Sequence, residues 1–362
     1  MHGPGETPPG RVPRKPFGQV AGRDHTLGPP LGPPLPGPGR RRRIPDRLCM
    51  TADSTEPQFH HVGAGAYVWL GADGCSNTGA IDTGDSVIVI DTQQNEVLAR
   101  SFRGALADQL GKPIRAVVNT HYHLDHVAGN RVFAGEAPIV AHERTAETYA
   151  ALLGPNGGRG WTITDLPTKA ALCYGESFPD LVADDAVARE TAGRHLSDAV
   201  YAQLDIVPPS QTFTDRFAFH LADEVVRLCY FGPAHCDGDV VVHLERARVV
   251  YLGDLLFHGR FPWLGDCDLD GWIRVLDCVL TFDVEAVVPG HGPPVTLHQV
   301  AQFRDLLVAL RDAVAAAVRN GLSEEAAARE VRLPRYAEMP RYREWIAADV
   351  RSAYRYLKGR RR

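Results

Sequence analysis

Residues 114–127 read IRAVVNTHYHLDHV, an apolar run that passes directly into three histidines and an aspartate. The apolar run predicts a buried strand, and the end of a strand is a rigid support for metal-binding side chains. Alternate side chains of an extended segment point the same way, so His121 and His123 should project together. Asp125 and His126 would then reach a second position beside the first. Because imidazole and carboxylate are common ligands of divalent metals, this stretch predicts a metal site.

Three more predicted strands lead into one possible ligand each, with glycine nearby to let the backbone bend. These residues are His235, Asp254 and His291. Together with the first four they make a set that suits two metal ions, each keeping a position for a shared water. We expect one ion to be held by His121, His123 and His235, and the other by Asp125, His126 and His291, with Asp254 bridging them.

Two blocks of strands, each followed by helices, make up the regular part of the chain from about residue 62. Short apolar or alternating runs predict strands at 66–70, 77–81, 86–91, 114–119, 138–141, 216–221, 224–231, 239–244, 248–252 and 286–288. Helical periodicity is found at 95–110, 269–280, 297–320, 323–330 and 342–357, and the polar stretch 143–210 is also predicted to be helical. This order favours an α/β fold of the αββα sandwich type, with additional C-terminal helices.

Composition divides the chain into three predicted regions: an extension at 1–57, a catalytic domain at 58–296 and a helical extension packed on it at 297–362. The first region is rich in Pro, Gly and Arg, so it cannot bury enough surface to offset its ordering entropy and should be disordered. Its four arginines at 40–43 could form a nucleic-acid or targeting patch. Alternatively, they could lie in a solvated tail or upstream of a true start at Met50. We favour this alternative over the patch, because charge blocks are commonly tails.

The composition of the 362 residues is that of a water-soluble globular protein, with 44% hydrophobic and 23% charged residues. A net charge of -5 gives no general attraction to nucleic acid or to an anionic membrane, and no apolar run is long enough to span a bilayer. The seven cysteines are scattered without CxxC spacing, which predicts free thiols. No apolar segment precedes the basic cluster as in a secretory signal, so we expect a cytoplasmic protein.

The order of the seven residues from His121 to His291 resembles the metallo-β-lactamase superfamily over about residues 62–295. Asp254 is similar to the aspartate of the glyoxalase II-like and broader hydrolase branches. The resemblance implies an αββα fold, two zinc ions per chain (iron or manganese in some members) and a bridging hydroxide as nucleophile. Asp91 resembles the family's aspartate that supports the ligands, and the stretch Asn77-Thr78-Gly79 is also similar to the family's sequence. Cys236 departs from the usual Thr or Ser after His235, which weakens the expected support of that histidine.

Two residues of the central motif are candidates for catalysis. Asp125 is expected to act as ligand and as orienter or proton acceptor of the attacking water. Tyr122 could donate a hydrogen bond to the developing oxyanion, or it could be a wall of the pocket. Arg260 could hold a substrate carboxylate, or it could be a surface ion-pair partner.

Ester or thioester hydrolysis is the reaction class that we predict, with a small-molecule or carrier-bound acyl substrate and with neither nucleic acid nor membrane as a partner. The arrangement from Phe231 to Phe257, together with the long helical tail, resembles actinobacterial members, some of which are thioesterase/cyclases of aromatic polyketide biosynthesis. The alternatives are a lactonase or β-lactamase-like hydrolase, and a mononuclear iron dioxygenase of the same fold. A pocket for a hydrophobic acyl group is expected from the apolar helix faces formed by Tyr149, Leu152, Leu153, Trp161, Leu306, Leu307 and Leu310.

Overall fold

The computed structural model describes residues 58–71, 75–153, 166–197 and 205–359. The predicted disordered extension at 1–57 and Trp161 of the predicted pocket lie outside these residues.

Two β-sheets form the centre of the described chain. The strands are β1 (Gln58–Gly63), β2 (Ala66–Leu70), β3 (Thr78–Asp82), β4 (Val87–Ile90), β5 (Ile114–Val118), β6 (Ile139–His142), β7 (Gln211–Phe213), β8 (Arg216–His220), β9 (Val225–Cys229), β10 (Val241–Leu244), β11 (Val249–Phe257) and β12 (Ala286–His291). Strands β1 to β7 form a seven-stranded sheet in chain order, antiparallel as far as β4 and parallel from there. The five-stranded sheet has the order β12-β11-β10-β9-β8, and only β11 and β12 are parallel.

The helices lie between and after the strand blocks. They are α1 (Glu96–Leu110), α2 (Leu124–Val127), α3 (Asn130–Phe133), α4 (Glu143–Leu153), α5 (Leu166–Tyr174), α6 (Phe178–Leu181), α7 (Ala186–Ser197), α8 (Leu269–Val279), α9 (Leu297–Arg319), α10 (Glu324–Glu330) and α11 (Tyr342–Leu357), with a 3₁₀ turn at Pro334–Tyr336. The predicted start and end of α1 are confirmed: Asn95 accepts a hydrogen bond from Leu98 N–H, and Gly111 ends the helix in the left-handed conformation.

Alternation along the buried strands separates the inner face of the sandwich from its outer faces. In β4, Ile88 and Ile90 belong to the core between the two sheets, whereas Val87 and Val89 pack with Phe102 of α1. This period of two is what a strand buried on both faces requires. The predicted αββα sandwich with additional C-terminal helices is confirmed.

The outer face of the second sheet is covered by the C-terminal helices. Val250 and Leu252 of β11 share one core with Trp272 of α8, Phe303 of α9 and Trp345 of α11. Burial of these large side chains contributes roughly 1.5–3 kcal/mol each. The helices after residue 296 therefore pack on the sheet that carries part of the site.

Two predicted strand ends were wrong, and both concern possible ligands. Strand β11 continues past 252 to Phe257, and β12 continues past 288 to His291. Gly253 and Pro289, which read as strand breakers, instead pair with each other in the parallel ladder, where Gly253 (φ 52°) makes an irregularity. Asp254 consequently lies within a strand rather than in the loop after it.

The two outermost strands of the seven-stranded sheet, β1 and β7, were not predicted. Both lie at a sheet edge, and β7 has only three residues, two of them exposed. A short edge strand carries little hydrophobic pattern, so pairing with a neighbour rather than its own sequence defines it.

In the described part of the chain, no helix has the length and apolarity needed to cross a membrane. Six of the seven cysteines lie in this part, and all six are free thiols, as predicted.

Helix α11 holds the loop that follows β11. The carboxylate of Asp349, which is fully buried, accepts a hydrogen bond of 2.9 Å from Leu264 N–H. Ser352 donates a hydrogen bond to Gly265 O in the same loop. Burial raises the pKa of Asp349 well above its ordinary value, because the charged form loses its hydration.

Replacing Asp349 by Asn should therefore stabilise the protein at neutral pH. The unfolded chain ionises this carboxyl above about pH 3.9, whereas the folded protein keeps it protonated. The contribution of Asp349 to the stability of wild type is therefore full below that pH and declines as the pH rises. Asn keeps an acceptor for Leu264 and cannot ionise, so the stability gained over wild type should grow by up to about 1.4 kcal/mol per pH unit. Melting temperatures from about pH 4 to about pH 8 measure this.

Asp108→Asn on the exposed face of α1 is the control and should show no such trend. A difference between Asp349→Asn and wild type that stays constant with pH would contradict the prediction.

Candidate metal centre

The seven predicted ligands come from four places in the fold. His121 follows β5, His123 is the N-cap of α2, and Asp125 and His126 lie in the single turn of α2. The other three residues lie in the loop between β9 and β10, within β11 and at the end of β12; they are His235, Asp254 and His291. The sandwich brings all seven together, although as many as 170 positions separate them in the chain.

The carboxylate of Asp254 lies between two groups of ligands. Its Oδ2 is 3.8 Å from His121 Nε2 and 3.7 Å from His235 Nε2. Its Oδ1 is 3.1 Å from His126 Nε2 and 3.4 Å from His291 Nε2. Each oxygen therefore faces one group, as a bridging carboxylate requires.

The two groups are those expected from the sequence. In the first, His123 Nδ1 is 3.2 Å from His235 Nε2, and the rings of His121 and His123 lie 4.8 Å apart. In the second, Asp125 Oδ2 is 3.2 Å from His291 Nε2 and 3.7 Å from that of His126. Separations of 3 to 4 Å between ligand atoms suit a common divalent ion about 2 Å from each.

Three atoms that point into this cluster test whether a cation fits there. His121 Nε2, His126 Nε2 and Asp254 Oδ1 are buried and form no hydrogen bond among the described residues, because the last two, although 3.1 Å apart, are not in hydrogen-bond geometry. A buried polar atom without a partner costs free energy, so such atoms are rare unless an ion or water satisfies them. Nitrogen and carboxylate donors converging in this way fit a divalent metal.

Burial keeps the first group of histidines neutral. It lowers the pKa of His123 to about 4 and that of His235 to about 3, and it lowers the pKa of His121 well below its ordinary value. A neutral imidazole is the form that binds a metal, so these three side chains are ready to ligate at neutral pH.

The second group shows that the cluster attracts positive charge. Burial works to lower the pKa of His126, but Asp254, Asp125 and Asp91 outweigh it and raise the pKa well above its ordinary value. Burial likewise works to raise the pKa of Asp125, but His126 and His291 hold it below the ordinary value. The carboxylates thus favour a cation beside them, and a bound metal can supply it in place of a proton.

Asp91, directly after β4, holds two of the ligands from behind. Its Oδ1 accepts a hydrogen bond of 2.8 Å from Thr120 N–H, and its Oδ2 accepts one of 2.7 Å from the Thr120 hydroxyl. The same Oδ2 is 2.9 Å from His126 Nδ1, and Thr120 Oγ1 is 3.0 Å from His121 Nδ1. Both rings therefore present Nε2 to the cluster.

Glycine is needed where β12 passes Asp254. A Cβ at Gly290 would collide with Asp254 Oδ1 and would lie 2.7 Å from the carbonyl carbon of Gly253. Gly253 itself has a φ of 52°, and its missing side chain leaves room for Thr120. The carboxylate position thus depends on two residues without side chains.

Tyr122 is buried with its ring 4.7 Å from that of His123. Burial raises the pKa of its hydroxyl well above the ordinary value, so the group keeps its proton. Tyr122 also belongs to the large apolar cluster that contains Leu124, Tyr149 and Trp272. Both predicted roles, hydrogen-bond donor and pocket wall, are compatible with this position.

Cys236 contacts a different histidine from the one expected. Its Sγ lies 3.6 Å from His123 Nε2, whereas His235 Nδ1 has no hydrogen-bond partner within the described chain. The loop is held by Asp239, because its Oδ2 accepts a hydrogen bond of 2.6 Å from Cys236 N–H.

Arg260 lies beside the cluster. Its guanidinium carbon is 5.2 Å from the centre of the Phe257 ring, and its Nη1 is 3.5 Å from His291 Nδ1. Burial lowers the pKa of Arg260, and the charges of Asp254 and Asp125 oppose that shift. Both roles left open by the sequence, contact with a substrate anion and an ion pair, are compatible with this position.

A cavity of about 470 Å³ lies between α9 and the segment before α11. Its apolar lining includes Phe257, Phe303, Leu306, Tyr336 and Met339. Phe257 also stacks on His291, with ring centres 5.4 Å apart, so one ring contacts both the cavity and the cluster. Four other residues of the predicted pocket are buried in the core and do not line this cavity: Tyr149, Leu153, Leu307 and Leu310.

Several supporting residues were not identified as such from the sequence. The Asn77 side chain donates to Pro289 O (2.9 Å) and Gly292 O (2.6 Å), which fixes the chain on both sides of His291. Asn77 stands in a stretch that resembles the family, which could have indicated it. Thr120 stands next to the first ligand, but its hydrogen bonds depend on the tertiary structure.

Comparison with known families gives one match that covers most of the site. The sequence profile of the metallo-beta-lactamase superfamily matches residues 72–291, which is more than half of the chain and contains all seven ligand candidates.

Two characterised proteins are similar in sequence. The linear primary-alkylsulfatase of Pseudomonas sp. (strain ATCC 19151) is 23% identical over 296 residues, which cover 77% of this chain and 54% of that protein. The 2,4-dinitroanisole O-demethylase subunit alpha of Nocardioides sp. (strain JS1661) is 26% identical over 240 residues, which cover 65% and 58%. The chain thus spans little more than half the length of either relative.

Solved structures show the same fold. The sec-alkylsulfatase Pisa1 from Pseudomonas sp. superposes with a TM-score of 0.60 at 18% identity, over 83% of this chain and 50% of that one. A metallo-beta-lactamase from Erythrobacter litoralis superposes with a TM-score of 0.50 at 20% identity, over 70% and 96%. At such identities the likeness establishes the fold and not the reaction.

Gly290→Ala should displace the Asp254 carboxylate and so impair metal binding. Because the added methyl group would collide with Oδ1, we expect zinc affinity to fall at least roughly tenfold. Gly104→Ala on α1 is the control, since a Cβ there meets no atom within 4 Å. Zinc competition titrations of both variants measure the effect, and wild-type affinity in Gly290→Ala would contradict the placement of Asp254.

Proposed function

The chain belongs to the metallo-β-lactamase superfamily, and we propose that it is a dinuclear zinc hydrolase acting on a carbonyl ester or thioester. The observation that carries this proposal is the position of Asp254. One of its oxygens faces the group of His121 and His235, and the other faces the group of His126 and His291. A carboxylate placed in this way suits two neighbouring cations rather than one.

Two such ions would lower the pKa of bound water toward about 7 and would polarise the scissile carbonyl. Asp125 is the residue that we assign to orienting the attacking water and accepting its proton. Its side chain is 18% exposed, whereas the other six ligand candidates are buried, so it is the one that reaches toward solvent and substrate. We assign Tyr122, with its retained proton, to donation toward the developing oxyanion.

Sulfate-ester hydrolysis is the second candidate reaction. Both the relative that covers 77% of this chain and a structural neighbour are named alkylsulfatases. The observation in this chain that favours an anionic substrate is Arg260, whose guanidinium lies beside His291 and can pair with a sulfate or carboxylate. The thioesterase/cyclase role in polyketide biosynthesis rests on sequence resemblance alone and stays a prediction, as do the lactonase alternative and the cytoplasmic location.

The iron dioxygenase alternative differs from our proposal in metal count. It would use His121, His123 or His235 with Asp254 and would leave the second group without a metal. That group is complete in the described structure, with Asp125 and His291 3.2 Å apart.

Metal analysis of the purified protein should therefore find about two equivalents of zinc per chain, and a chelator should abolish hydrolysis. A panel of thioesters, carboxylic esters, lactones, β-lactams, phosphodiesters, alkyl sulfates and an aryl methyl ether would identify the substrate class. A single tightly held iron together with oxygen consumption would contradict the hydrolase proposal. Turnover of alkyl sulfates alone would replace the carbonyl class by the second candidate.

Asp125→Asn should lower kcat by at least roughly 100-fold even at saturating zinc, because it removes the proton acceptor while preserving the shape. His291→Ala should instead recover part of its activity as zinc is added, since it removes only a ligand. The measurement is kcat against zinc concentration for both variants on the substrate that the panel identifies. If zinc rescues Asp125→Asn as readily as His291→Ala, Asp125 is a ligand only.

A further inference from the structure

The imidazole of His123 has polar neighbours at both of its nitrogens. Nδ1 lies 3.2 Å from His235 Nε2, on the side where the first metal would be held. Nε2 lies 3.6 Å from the Sγ of Cys236, a distance at which sulfur takes part in hydrogen bonds. The ring therefore has the proposed metal position at one nitrogen and a thiol at the other, and this Sγ also lies within 4.8 Å of a ring nitrogen of His121 and of His235.

Two hydrogen bonds hold the backbone of Cys236 in place. Cys236 N–H donates to the buried carboxylate of Asp239 at 2.6 Å, and Cys236 O accepts from Ala234 N–H at 2.9 Å. The side chain itself is only 5% exposed. A side chain held in this way can define the orientation of the ring beside it.

Other ligands are supported at the nitrogen that faces away from the cluster. His126 Nδ1 is 2.9 Å from Asp91, and His121 Nδ1 is 3.0 Å from the Thr120 hydroxyl. In both cases the support leaves Nε2 for the metal. His123 has the opposite arrangement, because its Nδ1 faces the cluster and its Nε2 faces the thiol.

We propose that the Sγ of Cys236 accepts a hydrogen bond from Nε2–H of His123 and thereby fixes the tautomer in which Nδ1 binds the first metal. Cys236 is thus a positioning residue that acts through His123. The inference rests on the proposed metal centre for its effect on affinity, whereas the tautomer itself is a property of the metal-free chain.

Three variants of the full chain test the proposal. Cys236→Ala removes the acceptor, Cys236→Ser restores one of smaller radius, and Cys267→Ala is the control, a cysteine buried to a similar degree (6% exposed). In Cys236→Ala we expect zinc affinity at one of two sites to fall about 10- to 100-fold, the loss typical when the partner of a metal-binding histidine is removed. Cys236→Ser should recover most of this affinity, and Cys267→Ala should retain it.

The tautomer is measured directly by nitrogen NMR of protein with ¹⁵N-labelled histidine, first without metal. His123, assigned by its loss in His123→Gln, should be the Nε2–H form in wild type and should become a mixture in Cys236→Ala. Unchanged tautomer and unchanged zinc affinity in Cys236→Ala would overturn the proposal. An Nδ1–H form in wild type would overturn it as well.

Cobalt substitution separates support from direct ligation. A thiolate ligand gives an intense sulfur-to-metal band in the near ultraviolet. We expect that wild type shows no band of this kind that is lost in Cys236→Ala. Its presence would make Cys236 a ligand and overturn the positioning role. Should wild type bind no zinc at all, the proposed function fails while the NMR measurement still decides the tautomer. Normal zinc binding by Cys236→Ala would instead contradict the effect on zinc affinity that we propose for Cys236, and it would leave the proposed function unaffected.

Discussion

The hydrogen bonds of the buried Asp91 carboxylate are the interaction on which the rest of the site depends. Three donors on the segment after β5 meet its two oxygens: the amide and hydroxyl of Thr120 and the ring of His126. Asp91 adopts a φ of 59°, which is uncommon for a residue other than glycine and costs free energy unless the surroundings compensate. Its bonds join β4 to the ligand-bearing loop and determine which nitrogens face inward.

The sandwich supplies the rigidity that this arrangement needs. Ligands on β11 and β12 belong to one sheet, whereas those after β5 belong to the other, so the packing between the sheets determines the distance between the two sets. Close-packed interiors do not adjust easily to added volume. The close approach of Gly290 to Asp254 is therefore a condition of the site, and the C-terminal helices contribute by holding the second sheet from outside.

Charge is balanced within a small buried volume. Asp125 and Asp254 bring negative charge to the cluster, the three histidines of the first group are neutral, and the raised pKa of His126 shows that the carboxylates favour a positive charge beside them, either a proton or a metal ion. Arg260 adds a positive group at the edge, on the side of His291. In both reactions that we propose as candidates, this positive group would face an anionic or polarised part of the substrate.

The sequence by itself determined the types and the order of the candidate ligands and most of the strands and helices, because these follow from short-range patterns such as HxHxDH and the period of two. It did not show that β11 and β12 extend through Asp254 and His291, because glycine and proline break isolated strands but are tolerated in a paired ladder. Nor did it show that Cys236 faces His123 rather than its neighbour His235, or that Arg260 lies beside His291. Those contacts join residues far apart in the sequence: the first depends on the packing of the two sheets, and the second on the parallel pairing of β11 with β12.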